Sequence, residues 1–123
     1  MTYTKQDLIH IIEMLRKLSI DLSAAICATE SIAESEIFTD DFHKVYQSRW
    51  TRQKFTYLRL HRNIIARGYS IAPPVQECIK KVDELFRRGN SEKVDTYKAI
   101  YAYIRGLLEM IDYEATLDLN YKC

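Results

Sequence analysis

A chain of 123 residues, 47% of them apolar, is long enough to close one hydrophobic core and too apolar to be a disordered segment. Three glycines and two prolines are too few for the repeated turns of a β-sandwich or barrel. The formal charge is only +1, but it is sorted: residues 1–41 hold three basic and eight acidic residues, 42–76 hold seven basic and none acidic, and 77–123 hold eight basic and nine acidic.

The first predicted helix starts at Thr4, an N-cap whose partner Asp7 three residues later forms a capping-box pattern. Leu8, Ile11, Leu15, Leu18, Leu22 and Ile26 recur at steps of three and four and mark its buried stripe, widened by Ile12 and Cys27. Residues 29–41 are acidic and rich in Ser and Thr. Ser31 with Glu34 is expected to cap a short turn there, and Thr39 or Asp40 to cap the next helix.

The second helix is predicted over Asp40–Arg67, with Gly68 as its C-terminal stop. The third is predicted over Pro74–Arg88, packing through Val75, Cys78, Ile79, Val82, Leu85 and Phe86 and ended by Gly89-Asn90. Ser91 is the expected N-cap of a fourth helix reaching Leu117, with a stripe of Val94, Tyr97, Tyr101, Ile104, Leu108, Ile111 and Ala115. Gly106 within it predicts close helix packing. These elements predict a single all-α domain spanning residues 1–123, a four-helix bundle running up-down-up-down with short connections. The narrow stripe of the fourth helix also suits a homo-oligomer.

Cys27, Cys78 and Cys123 are far apart and form no CxxC pair, so neither a zinc site nor a disulfide framework is indicated. No apolar run reaches the ~20 residues of a membrane span, and the N-terminal stretch MTYTKQDLIHIIEM lacks a signal-peptide core. A cytoplasmic protein without a membrane partner is expected.

Placed on a wheel, the second helix separates two faces. Phe42, Tyr46, Trp50, Tyr57, Leu60 and Ile64 define the core side. Lys44, Arg52, Phe55, Arg59 and Arg62 collect opposite, with Arg49 and Arg67 flanking. No acidic residue follows Asp41 on this helix, so Arg59 and Arg62 have no carboxylate four residues away. Arginines on such a stripe suit paired hydrogen bonds to phosphate, and Phe55 suits stacking on a base. The expectation is a non-enzymatic protein whose basic second helix contacts an acidic partner, nucleic acid first. The alternative is a protein-interaction module (an inhibitor, an immunity-type protein or an accessory subunit) docking on an acidic protein surface. A further expectation is that the acidic segment 30–41 masks the basic stripe.

No cofactor or metal motif is present. Single His10/Glu13 and Asp40/His43 pairs read as surface or capping residues, and Gly-rich phosphate loops, GxSxG and HExxH are missing. His61 has the one setting that suggests catalysis. In the stretch LRLHRNIIARG, ahead of a Gly-terminated helix pair, it resembles in layout a histidine phosphotransfer domain over about residues 58–110. Those domains are four-helix bundles with an exposed His midway along a helix, so the resemblance implies phosphotransfer through His61. The family pattern has a basic residue three positions after the His and a Gly four positions after it; here those positions are Ile64 and Ile65.

Overall fold

The computed structural model describes residues 3–66, 68, 71–88 and 93–117, apart from the side chains of Asn63 and Ile64. They form six helices: α1 (Lys5–Ala28), α2 (Glu34–Ile37), α3 (Asp40–Leu60), α4 (Arg62–Ala66), α5 (Pro73–Arg88) and α6 (Lys93–Thr116), with no strand among the described residues. The all-α bundle expected from the periodicity is therefore what forms. The expected roles of Gly89, Asn90 and Ser91 lie outside the described residues, as do Arg67, the side chain of Ile64 and Cys123.

Helix α1 starts as its sequence dictates. The Asp7 amide donates to Thr4 Oγ1 at 3.3 Å and the Thr4 amide donates back to Asp7 Oδ2 at 2.7 Å, closing a capping box. Such a cap contributes about 1 kcal/mol. Leu8, Ile11, Ile12, Leu15, Leu18 and Leu22 are buried, but the stripe gives out sooner than expected: Ile26 is half-buried and Cys27 is exposed. Cys27, expected to widen the buried stripe, is thus corrected to a surface thiol.

Ser31 does not cap α2, whose N-cap is Ala33 with no side-chain hydrogen bond. This segment is instead fastened to the start of α6. The Glu34 carboxylate accepts from the Val94 amide, and Lys93 Nζ donates to the Phe38 carbonyl at 2.8 Å. Phe38 is buried and stacks on Tyr97 with ring centroids 4.4 Å apart. Thr39 caps α3, accepting from the Phe42 amide at 3.1 Å, and Asp40 and Asp41 sit at the positive end of the helix dipole.

The single helix predicted over 40–67 is interrupted at His61, whose backbone (φ −93°, ψ 5°) leaves the helical region while its amide donates to the Leu58 carbonyl at 3.1 Å. This i→i+3 bond tightens the last turn of α3 before α4 resumes. Gly68 takes φ +87°, as a C-terminal stop requires, and its amide donates to the Ile65 carbonyl at 3.0 Å.

Helix α6 is the central element. It packs most extensively on α1 and next on α5; α1 also packs on α3, whereas α3 and α5 touch only sparsely. Two flanking helices demand a wider face than a heptad stripe. Ile100 and Leu107 accordingly join Tyr97, Ile104, Leu108, Ile111 and Ala115 in the core, while Tyr101 is half-buried. The stripe that suggested self-association is thus covered within the bundle. Gly106 does not mediate close packing either, because a Cβ at that position would meet no atom within 4 Å. Among the described residues no helix is long and apolar enough to cross a membrane.

Candidate partner-binding face

Helix α3 presents its basic residues in two different settings. Two of them tie the bundle together. Arg49 Nη1 donates to Asp21 Oδ2 of α1 at 2.8 Å, and its guanidinium lies over the Tyr46 ring, 4.9 Å from the centroid. Lys54 Nζ donates to both carboxylate oxygens of Asp83 on α5 at 3.1 Å, and the Trp50 indole N–H donates to Asp83 Oδ1 at 2.8 Å. Arg49, expected as a flanking partner contact, is therefore a strut between α1 and α3.

Lys44, Arg52 and Arg59 of α3, with Arg62 at the start of α4, are in the second setting. All four are exposed, and none makes an ion pair among the described residues. Phe55 stands among them at 58% exposure. The charge of residues 42–76 is thus offset only in part, and by carboxylates from α1 and α5. The acidic segment 30–41 contributes no ion pair to this face among the described residues, so the masking expected of it has no contact to act through. Its Glu34 is engaged at α6, and Asp40 and Asp41 occupy the first turn of α3.

The face contains more than the basic residues that the helical wheel singled out. Val45, 53% exposed, and the exposed Ser48 fall on the same side of α3 as Arg52, Phe55 and Arg59. Positions 45, 52 and 59 repeat every seven residues, and so do 48 and 55, which keeps a stripe on one side of α3, while Arg62 lies beyond the break at His61. That spacing was available in the sequence as the signal for Val45. At ~1.5 Å rise per residue, Arg52 and Arg59 stand about 10 Å apart along the axis.

His61 lies at the end of this face but points away from it. At 4% exposure it is buried. Its Nε2 is 3.0 Å from Glu114 Oε2 on α6. The Tyr3 hydroxyl donates to the same oxygen at 2.9 Å, and the Tyr57 hydroxyl donates to Oε1 at 2.7 Å. The Tyr3 and Tyr57 rings lie 4.9 and 4.6 Å from the imidazole. Burial pushes the Glu114 carboxyl up, but hydrogen bonds from His61 and Tyr57, the His61 charge and the Tyr3 hydroxyl outweigh it and hold the group below the ordinary carboxylate range. An imidazole enclosed by two rings and a carboxylate has no open approach for a phosphoryl donor. The exposed His on which the phosphotransfer resemblance depends is not found here.

His43 likewise departs from its surface reading. Its ring bridges the Phe86 carbonyl (Nε2, 2.9 Å) and the Tyr97 hydroxyl (Nδ1, 2.6 Å). A carbonyl only accepts, so the Nε2–H donates to Phe86. Burial, with a smaller contribution from the Asp40 charge, pushes the Tyr97 phenol up to about 12. Burial, then Glu77, likewise raises the Cys78 thiol, which fits packing rather than nucleophilic chemistry. Among the described residues no group of three or more His, Cys, Asp or Glu side chains is arranged to hold a metal ion. No protein-family model matches the sequence, and no match was found among curated proteins or solved structures.

Proposed function

We propose that this protein is a non-enzymatic binding module that holds a polyanion, nucleic acid first, on the outward face of α3. One observation carries the reading: Lys44, Arg52 and Arg59 on α3, and Arg62 at the start of α4, are exposed without a carboxylate partner among the described residues, while Arg49 and Lys54 have theirs. Phosphate oxygens are the natural acceptors for such guanidinium groups, and Phe55 between them offers a surface on which an unstacked base can lie. That combination favours single strands and little sequence specificity, because contacts to phosphate position a strand without reading its bases.

The test is a salt titration with a labelled single strand and the matching duplex. Four phosphate contacts would lower affinity about 50-fold for the single strand and about 150-fold for the duplex between 50 and 200 mM salt. Replacing Arg52, Arg59 and Arg62 by Glu is expected to abolish binding while leaving the helical circular dichroism unchanged, since all three are exposed. Absence of binding by the native chain at low salt would overturn the nucleic-acid reading.

A second reading, docking on an acidic protein surface as an inhibitor, immunity-type protein or accessory subunit, draws support from Val45 and Phe55. Two apolar side chains, more than half exposed within a cationic stripe, suit the apolar centre and charged rim of a protein interface. Protein purified at low salt with a clean ratio of absorbance at 260 and 280 nm, and with no oligonucleotide affinity, would favour it.

A further inference from the structure

The sparse contact between α3 and α5 leaves a half-open cleft of about 250 Å³. Its α3 wall is made by Gln47, Trp50, Thr51 and Lys54, and its α5 wall by Asp83, Phe86 and Arg87. The steps of three and four on both helices mean that each wall is one continuous helix face. Arg52, Phe55 and Arg59 do not line it, so this space is separate from the outward stripe.

The chemistry of the cleft is uneven. Trp50 and Phe86, both almost fully buried, form its deep apolar part. Asp83 is saturated at one end, taking the Trp50 indole N–H and both contacts from Lys54, so this carboxylate and ammonium neutralise each other. Gln47 and Thr51 offer an amide and a hydroxyl on the same wall. Arg87 is the remaining charge, exposed and without an ion pair among the described residues, whereas its neighbour Arg88 meets Glu84 at 3.7 Å. The cleft therefore carries a net single positive charge beside an apolar floor. A polar strut, Trp50 and Lys54 to Asp83, joins the two helices across the cleft. A buried ion pair is a poor source of stability compared with apolar packing.

We infer that the α3–α5 cleft is a binding site for a small organic anion with a flat apolar body. Its carboxylate or phosphate pairs with the Arg87 guanidinium, its edge hydrogen-bonds to Gln47 and Thr51, and its ring lies toward Trp50 and Phe86. The volume is below the ~300 Å³ at which drug-sized pockets begin, which limits the ligand to about one ring and its head group. Guanidinium groups pair with both head groups through two parallel hydrogen bonds, so the two kinds of anion are separated by experiment.

Trp50 is the only tryptophan in the chain, so its fluorescence reports on this cleft directly. Benzoate and phenyl phosphate are the probes, and benzyl alcohol is the uncharged control. A saturable change in Trp50 emission is expected for at least one anion, with half-saturation at about 0.1–1 mM for ligands of this size. The anion giving the tighter curve identifies the head group. Arg87→Gln is expected to weaken that affinity at least 10-fold without altering the thermal melt. Amide shifts in ¹⁵N spectra are expected to cluster at Gln47, Thr51 and Phe86. Any one of three results would overturn the assignment: no saturable response to either anion, an equal response to benzyl alcohol, or unchanged affinity in Arg87→Gln. A fluorescence change whose amide shifts lie elsewhere would also refute it.

Discussion

Removing the charge of Glu114 is the sharpest test of how the ends of α3 and α6 are held together. Its carboxylate accepts from Tyr3, Tyr57 and His61, which come from the N-terminal segment, α3 and the α3–α4 joint. In Glu114→Gln one oxygen still accepts from one tyrosine, but the amide NH2 now faces donors, and part of the hydrogen bonding from Tyr3, Tyr57 and His61 is lost. Leaving a buried donor unsatisfied costs about 1–3 kcal/mol. For a domain of this size that corresponds to a fall in Tm of about 3–15 °C. The pH dependence adds a second signature. The native carboxyl titrates below its ordinary value of 4.5, so the folded state binds fewer protons than the unfolded one near that pH. The network's contribution is therefore fully present above about pH 4.5 and is lost as pH falls through the lower folded value. Urea unfolding of the wild type and of Glu114→Gln, repeated from pH 7 to pH 3, measures both effects. The difference in stability should be large at pH 7 and shrink below pH 4.5. A variant within about 0.5 kcal/mol of wild type at pH 7, or two curves that stay parallel down to pH 3, would refute this account of the network.

Two further outcomes follow from local geometry. Gly106→Ala should stabilise the protein by about 0.5–1 kcal/mol, because the added methyl meets open space and the unfolded chain loses freedom; a lower thermal midpoint would show that the helix interior is tighter than described. Tyr97 should remain un-ionised in a spectrophotometric titration until about pH 12, and a phenol titrating near 10 would mean that its burial and the Asp40 charge do not hold it in the neutral form.

The parts of this fold that can be read in the sequence are those governed by near neighbours. Thr4 with Asp7, Thr39 with Phe42 and Gly68 after Ile65 act over three residues, and each does what local chemistry asks. The core stripes of α1 and α5 follow the helical period for the same reason. What was not readable depends on distant partners. The break at His61 coincides with an inward side chain whose acceptor, Glu114, lies 53 residues along the chain, and no helical period encodes that distance. Arg49 looked like a flanking member of the outward surface because Asp21 is far away in sequence. The width of the α6 face was underestimated because the sequence does not say that α6 will be flanked on two sides.

The division of charge on α3 bears on why the helix is built this way. An exposed helix of mixed sign gains about 0.2–0.5 kcal/mol from each well-placed opposite pair and loses a similar amount to each like pair. After its first turn α3 has no carboxylate with which to form such pairs, and past its last turn the next charged residue, Arg62 of α4, is again a cation. Bundle stability by itself would favour a glutamate at one of the exposed positions 48, 52 or 55, since none of these side chains packs against the core. The cations that serve the bundle, Arg49 and Lys54, are each given a carboxylate from a neighbouring helix, so the fold has the means to neutralise charge on α3 and applies it selectively. The uncompensated cations are confined to the face that no helix covers. A partner bearing negative charge would relieve their mutual repulsion at the moment of binding, and the bound protein should therefore melt at a higher temperature than the free one.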